Sequence, residues 1–156
     1  MLKSKQNLLE RDPRNDQRVV DRASGAARPI RIEDLRDLME RLELGPAVPA
    51  VIRHQFDVAR NAFVYSWFEY ELATLAEQHS YGVVESALRD RIVVAGGEVT
   101  KLRGLQALYE HAFKLGYLNK SDFEVASPFD SSESISVFEF LRMLRNGLAH
   151  GKAQLL

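Results

Sequence analysis

The sequence predicts an all-α fold, most simply an antiparallel helical bundle with one long or kinked core helix. Three observations predict it. Apolar residues recur every three or four positions over most of the chain, no strand-type alternation lasts more than a few residues, and the stretch from Pro49 to Val94 holds no further proline and one glycine, Gly82. At 156 residues with 46% apolar content the chain is the size of one domain with one core.

Residues 1–31 stand apart. They carry eight of the 21 Lys+Arg residues but four of the 22 Asp+Glu residues, although the whole chain has a net charge of −1. Few large apolar residues follow Leu9, and no helical period is sustained. The segment reads as a basic, mobile or loosely packed arm, either a solvated tail or an arm that tracks phosphates. Residues 32–156 are expected to form a single helical domain.

Within that domain the first helix is expected over Glu33–Leu44, with Leu35, Leu38 and Leu42 on one face and a stop at Gly45-Pro46. From Pro49 to about Val94 the positions Ile52, Phe56, Ala59, Phe63, Tyr70, Val84, Leu88 and Ile92 keep the helical spacing. One very long helix is expected, or two with a break near Gly82. The stretch FVYSWFEYEL is apolar on nearly every side, as in a helix surrounded by others, and its aromatic residues read as core. Thr100–Leu115 forms a further helical segment ending at Gly116. A loop over 119–134 contains Pro128, and a last helix is expected from about Ser134 to His150.

Composition narrows the chemistry. The chain has no cysteine, which excludes disulfides, thiolate nucleophiles and cysteine-ligated zinc and fits a reducing compartment. No apolar run approaches a membrane span, and the start is too polar for a signal peptide, so no membrane partner and a cytoplasmic location are expected. His54, His79 and His111 are scattered without the spacing of a zinc motif. There is no phosphate-binding loop, nucleophile elbow or dinucleotide-binding glycine motif. Neither a metal nor a cofactor is expected.

The chemically pointed cluster lies in the last helix, FEFLRMLRNGLAHGK. On a helical wheel Phe140, Leu144, Val137, Leu148, Leu141 and Phe138 fill one apolar arc, and Arg145 falls inside it, where a guanidinium is costly unless paired. Asn146 and His150 lie one turn apart on the flank. Arg145 and His150 diverge by about 140° on an ideal helix, so one chain focuses them poorly. Two copies related by a two-fold axis would bring both pairs into one cleft.

This arginine, polar residue and histidine, with the acidic residue and Leu-Arg of SYGVVESALRDRI upstream, resemble the RX4-6H signature and long core helices of the HEPN superfamily over about residues 49–152. The resemblance implies a metal-independent endoribonuclease whose active site is assembled at a homodimer interface, with Arg145 and His150 catalytic and Asn146 their polar partner. It also implies an RNA substrate and, for a toxin or defence protein, a cognate antitoxin. In some members a tyrosine two places after the histidine is modified by a partner; Lys152 occupies that place here, which puts that form of control in doubt.

The residue types suit the chemistry. Histidine, with an ordinary pKa near 6.5, serves as acid or base at neutral pH. Arginine forks two donors onto phosphate oxygens, and Asn146 can orient the histidine or donate to the phosphate. Two other readings stay open. Arg145 could be half of a buried ion pair, with Glu85 or another acid, while Asn146 and His150 cap the helix end near Gly151. Alternatively the chain could be a HEPN scaffold without catalysis that holds a dimer together or binds a nucleotide.

Overall fold

The structure, a computed structural model, describes residues 3–21, 24–126 and 134–137. Among these the chain is mainly helical, with α1 (Ile32–Glu40), α2 (Ala50–Tyr65), α3 (Glu71–Val94) and α4 (Gly104–Lys114). Four short strands accompany them: β1 (Arg18–Val20), β2 (Ala27–Pro29), β3 (Glu124–Ala126) and β4 (Ser134–Ser136). The chain divides into two compact units, residues 1–80 and 81–156.

In the first unit, β1 and β2 form an antiparallel ribbon with Val19 opposite Arg28. This corrects the expectation of a chain without strands, and it gives the arm a secondary structure of its own. Three residues per strand are too few for alternation to register in sequence. The turn relies on Asp21, whose carboxylate accepts the Ser24 N–H at 2.9 Å, the side-chain turn for which aspartate is suited. Arg28 then reaches α1 and donates to both oxygens of Asp34 at 2.6 Å. Asp34 also accepts the Arg31 N–H at 2.8 Å, satisfying a donor at the helix start. Beside Arg28, and helped by that N–H, its carboxyl is held down at about 2.

Helix α1 ends at Glu40, four residues short of the expected Leu44. The reason sits on α2. The guanidinium carbon of Arg60 lies 5.5 Å from the centre of the Phe56 ring, and the side chain donates to Met39 O at 3.0 Å and Leu42 O at 3.1 Å. Met39 O also accepts the Leu42 N–H at 3.1 Å, the bond of a tightened last turn, and Arg60 holds that turn in place. Leu35 is buried as expected, as are Ile52 and Ala59 of α2, whereas Leu38 and Leu42 are half exposed.

The long helix does break, but not near Gly82. Helix α3 runs through Gly82 without interruption, and the break falls at residues 66–70, between α2 and α3. There the arm, more than fifty residues away in sequence, bonds to the backbone of Ser66, Trp67 and Tyr70.

The second unit is built on the later turns of α3 and on α4. Tyr81, Leu88 and Ile92 pack with Leu105, Leu108, Tyr109 and Ala112; Ile92 and Leu108 are fully buried. Each such aliphatic side chain contributes roughly 1.5–3 kcal/mol on burial. Burial also pushes the Tyr109 phenol up to about 12. Helix α3 closes at Gly96, where φ is 82°. Gly96 N–H donates to Val93 O at 2.9 Å and Gly97 N–H to Ile92 O at 2.8 Å, the paired bonds of a glycine C-cap. Arg89 fastens the following loop: it pairs with Glu85 at 2.8 Å and donates to Leu102 O at 3.1 Å.

Helix α4 begins at Gly104, later than the expected Thr100, and ends as expected before Gly116. Beyond it, a 3-10 turn over Lys120–Phe123 leads into β3, and β3 pairs antiparallel with β4, Val125 opposite Ile135. This corrects two expectations, a loop over 119–134 and a final helix from about Ser134. Ser134–Ser136 are extended because their backbone groups are used by the ladder to β3.

Candidate functional site

Arg145, Asn146 and His150, and the expected last helix from residue 138 on, lie outside the described residues. Glu85, one suggested partner for Arg145, is paired with Arg89. His54 on α2 and His79 on α3 are exposed, and His111 on α4 is half-buried.

Among the described residues, charged groups converge most densely where the arm meets the α2–α3 joint. The arm enters through a β-turn, Asp12-Pro13-Arg14-Asn15, closed by Asn15 N–H donating to Asp12 O at 3.0 Å. Aspartate first and proline second are the residues this turn favours. One carboxylate oxygen of Asp12 accepts the Arg14 N–H at 2.9 Å. The other accepts the Arg14 Nη2 donor at 2.8 Å and the Tyr70 N–H at 3.1 Å. Asp12 and Asn15 are both buried, unusual for such residues unless their polar atoms are satisfied.

Arg14 extends from the turn over the start of α3. It pairs with Glu69 at 3.1 Å and with both oxygens of Glu71, and its guanidinium carbon lies 5.2 Å from the centre of the Tyr70 ring. Three carboxylates therefore share one guanidinium. The Arg14 side chain lowers the Asp12 pKa well below the carboxylate range, against the opposing effect of burial. Arg14, and then Glu69, hold Glu71 down at about 2. Glu69 is left with the surplus negative charge: its hydrogen bond to Glu71, with some desolvation, raises its pKa above the ordinary value.

An open cleft of about 600 Å³ borders this cluster, lined by Lys3, Asp12, Pro13, Arg14, Glu69 and Glu71. Asp12, Glu69 and Glu71 each bring an oxygen within 4.8 Å of the others, a spacing that could hold a cation. The guanidinium of Arg14 already spans them, and each of the three carboxylates accepts one of its N–H groups. The arrangement fits an ion-pair clamp rather than a metal cage. None of the three histidines joins a group of metal-holding geometry among the described residues.

The pairing also bears on the basic arm. Arg11, Arg14 and Arg28 all face carboxylates, at 4.0, 2.8 and 2.6 Å from Asp16, Asp12 and Asp34. Three of the arm's eight basic residues thus have internal acidic partners, which leaves less charge for a polyanion. Sequence reasoning missed Asp12, Arg14 and Asn15, although the Asp-Pro-x-Asn turn was legible. Their partners, Ser66 to Glu71, could not be read from it.

Compared with protein-family models, with characterised proteins and with solved structures, the chain finds no match.

Proposed function

We propose that this protein is a metal-independent endoribonuclease of the HEPN type, working in the cytoplasm as a homodimer. Arg145, Asn146 and His150 supply its catalytic groups. The observation that carries this reading is the spacing of those three residues, with an arginine inside an apolar helical arc and a histidine one turn beyond an asparagine. The mainly helical character of the described residues is consistent with it. So is the clamp at Asp12, which accounts for the densest cluster of acids as a structural device.

The reaction needs a proton taken from a ribose 2'-hydroxyl, a proton delivered to the departing 5'-oxygen, and stabilisation of negative charge on the non-bridging oxygens of the phosphorane between them. His150 serves the proton transfers. Arg145 meets the phosphate oxygens, and Asn146 holds the imidazole or donates to the phosphate. A two-fold axis supplies each group twice and removes the divergence that one helix imposes. A toxin or defence role, restrained by a cognate antitoxin, is the biological setting such an activity suits.

The test is RNA cleavage by the parent protein beside His150→Ala and Arg145→Ala. Each variant should lose activity while keeping its helical circular dichroism, and EDTA should leave the parent unaffected. Full activity in His150→Ala would overturn the proposal, and intact RNA with every form would favour a HEPN scaffold without catalysis.

A further inference from the structure

The break between α2 and α3 carries one local signal, Ser66, whose hydroxyl donates to Phe63 O at 2.6 Å, a bond that bends a helix without by itself ending it. Residues 66–70 are Ser-Trp-Phe-Glu-Tyr, without glycine or proline, and the two helices share one apolar period across them. In an uninterrupted helix, Ser66 O would accept the Tyr70 N–H, and Trp67 O would accept the Glu71 N–H. Here each group of the first pair is held by the arm. Ser66 O accepts Asn15 Nδ2 at 2.6 Å, and Tyr70 N–H donates to the Asp12 carboxylate at 3.1 Å. Trp67 O accepts the Asp12 N–H at 2.9 Å and Asn15 Nδ2 at 3.1 Å. The arm has replaced helical bonds with its own.

We infer that residues 12–15 form a latch that holds the α2–α3 joint bent, and that its release lets residues 50–80 join into one continuous helix. The exchange is nearly one for one. When Asp12 and Asn15 withdraw, the donor and acceptor they leave are each other's partners in the straight form, so neither is stranded. The ion pairs of Arg14 with Glu69 and Glu71 lie at the exposed edge of the latch, with all three side chains between 42% and 60% exposed. They guide the arm to its seat, while Asp12 and Asn15, both buried, make the backbone exchange. Any event that draws the arm away thereby changes the direction in which the chain leaves α2.

The absence of cysteine makes the test clean. His54→Cys and His79→Cys, both at exposed positions, carry spin labels for a distance measurement on the full chain. A continuous helix sets these backbone positions about 37 Å apart. The parent should lie away from that value. Adding Asp12→Ala and Asn15→Ala should move the main population to it and raise helical circular dichroism. Asn15→Ala alone, which keeps the carboxylate and is the milder change, should show a minor population at the same separation. The parent distance retained in both variants would overturn the latch, as would a broad distribution without that population.

Discussion

The side-chain amide of Asn15 donates to the carbonyl oxygen of Ser66 at 2.6 Å, across 51 residues of chain and away from solvent. That bond meets α2 where a helix leaves its last carbonyls unsatisfied. Asp12, three residues earlier, does the complementary work at the start of α3, where a negative group is favoured by the helix dipole. A four-residue turn in the arm thus ends one helix and begins the next.

Acid should loosen this joint, and the sole tryptophan reports it. Asp12 and Glu71 both have pKa values lowered by Arg14. A carboxylate depressed in the folded state contributes stability that is present above its ordinary pKa and is lost as pH falls through the folded value. Glu69 is raised and acts in the opposite sense, but it is one group against two. Trp67 emission should be constant above about pH 5 and shift as pH falls from about 4 towards 2. Arg14→Gln should move the onset upward. A transition at the same pH in both proteins would show that the clamp does not set it.

Two glycines in and after α3 should respond in opposite directions. A Cβ at Gly97 would stand 2.6 Å from Cγ2 of Ile92, a fully buried side chain that cannot retreat. Gly97→Ala should therefore lose about 1–3 kcal/mol. At Gly82, inside the helix, a Cβ meets nothing within 4 Å. Gly82→Ala should gain about 0.5–1 kcal/mol through helix propensity. Urea unfolding of both variants checks the pair.

What sequence revealed and what it concealed divide along physical lines. The faces of Ile52, Ala59, Leu88, Ile92, Leu105 and Leu108 were legible because a buried helical stripe leaves a periodic record. The stop after α4 was legible because Gly116 takes a φ of 71° that favours glycine. The early end of α1 and the joint at 66–70 were not, because Arg60, Asp12 and Asn15 act across long stretches of chain. Strands of three residues leave too short a pattern to find. Arg145, Asn146 and His150 were legible as a spacing, and they lie outside the described residues.

Assembly can be tested without RNA. If the site is shared between two chains, light scattering at micromolar concentration should give a dimer. A monomer would count strongly against a composite site.

Arg145 separates catalysis from architecture. As a group held in a dimer cleft for function, its change to Met should abolish activity while stability is kept or raised. As half of a structural ion pair, the same change would strand a buried carboxylate and cost roughly 3–5 kcal/mol. Urea unfolding at one fixed protein concentration distinguishes the two, since dimer stability depends on concentration.

The most direct measurement of the proposed activity is the chemistry of the RNA ends. Attack by the 2'-hydroxyl leaves a 2',3'-cyclic phosphate on the upstream fragment and a free 5'-hydroxyl on the downstream one. Mass spectrometry of a short single-stranded RNA, incubated with the purified protein in EDTA, should find both ends, and neither with His150→Ala. Fragments ending in a 3'-hydroxyl and a 5'-phosphate, or cleavage that persists in His150→Ala, would contradict the account.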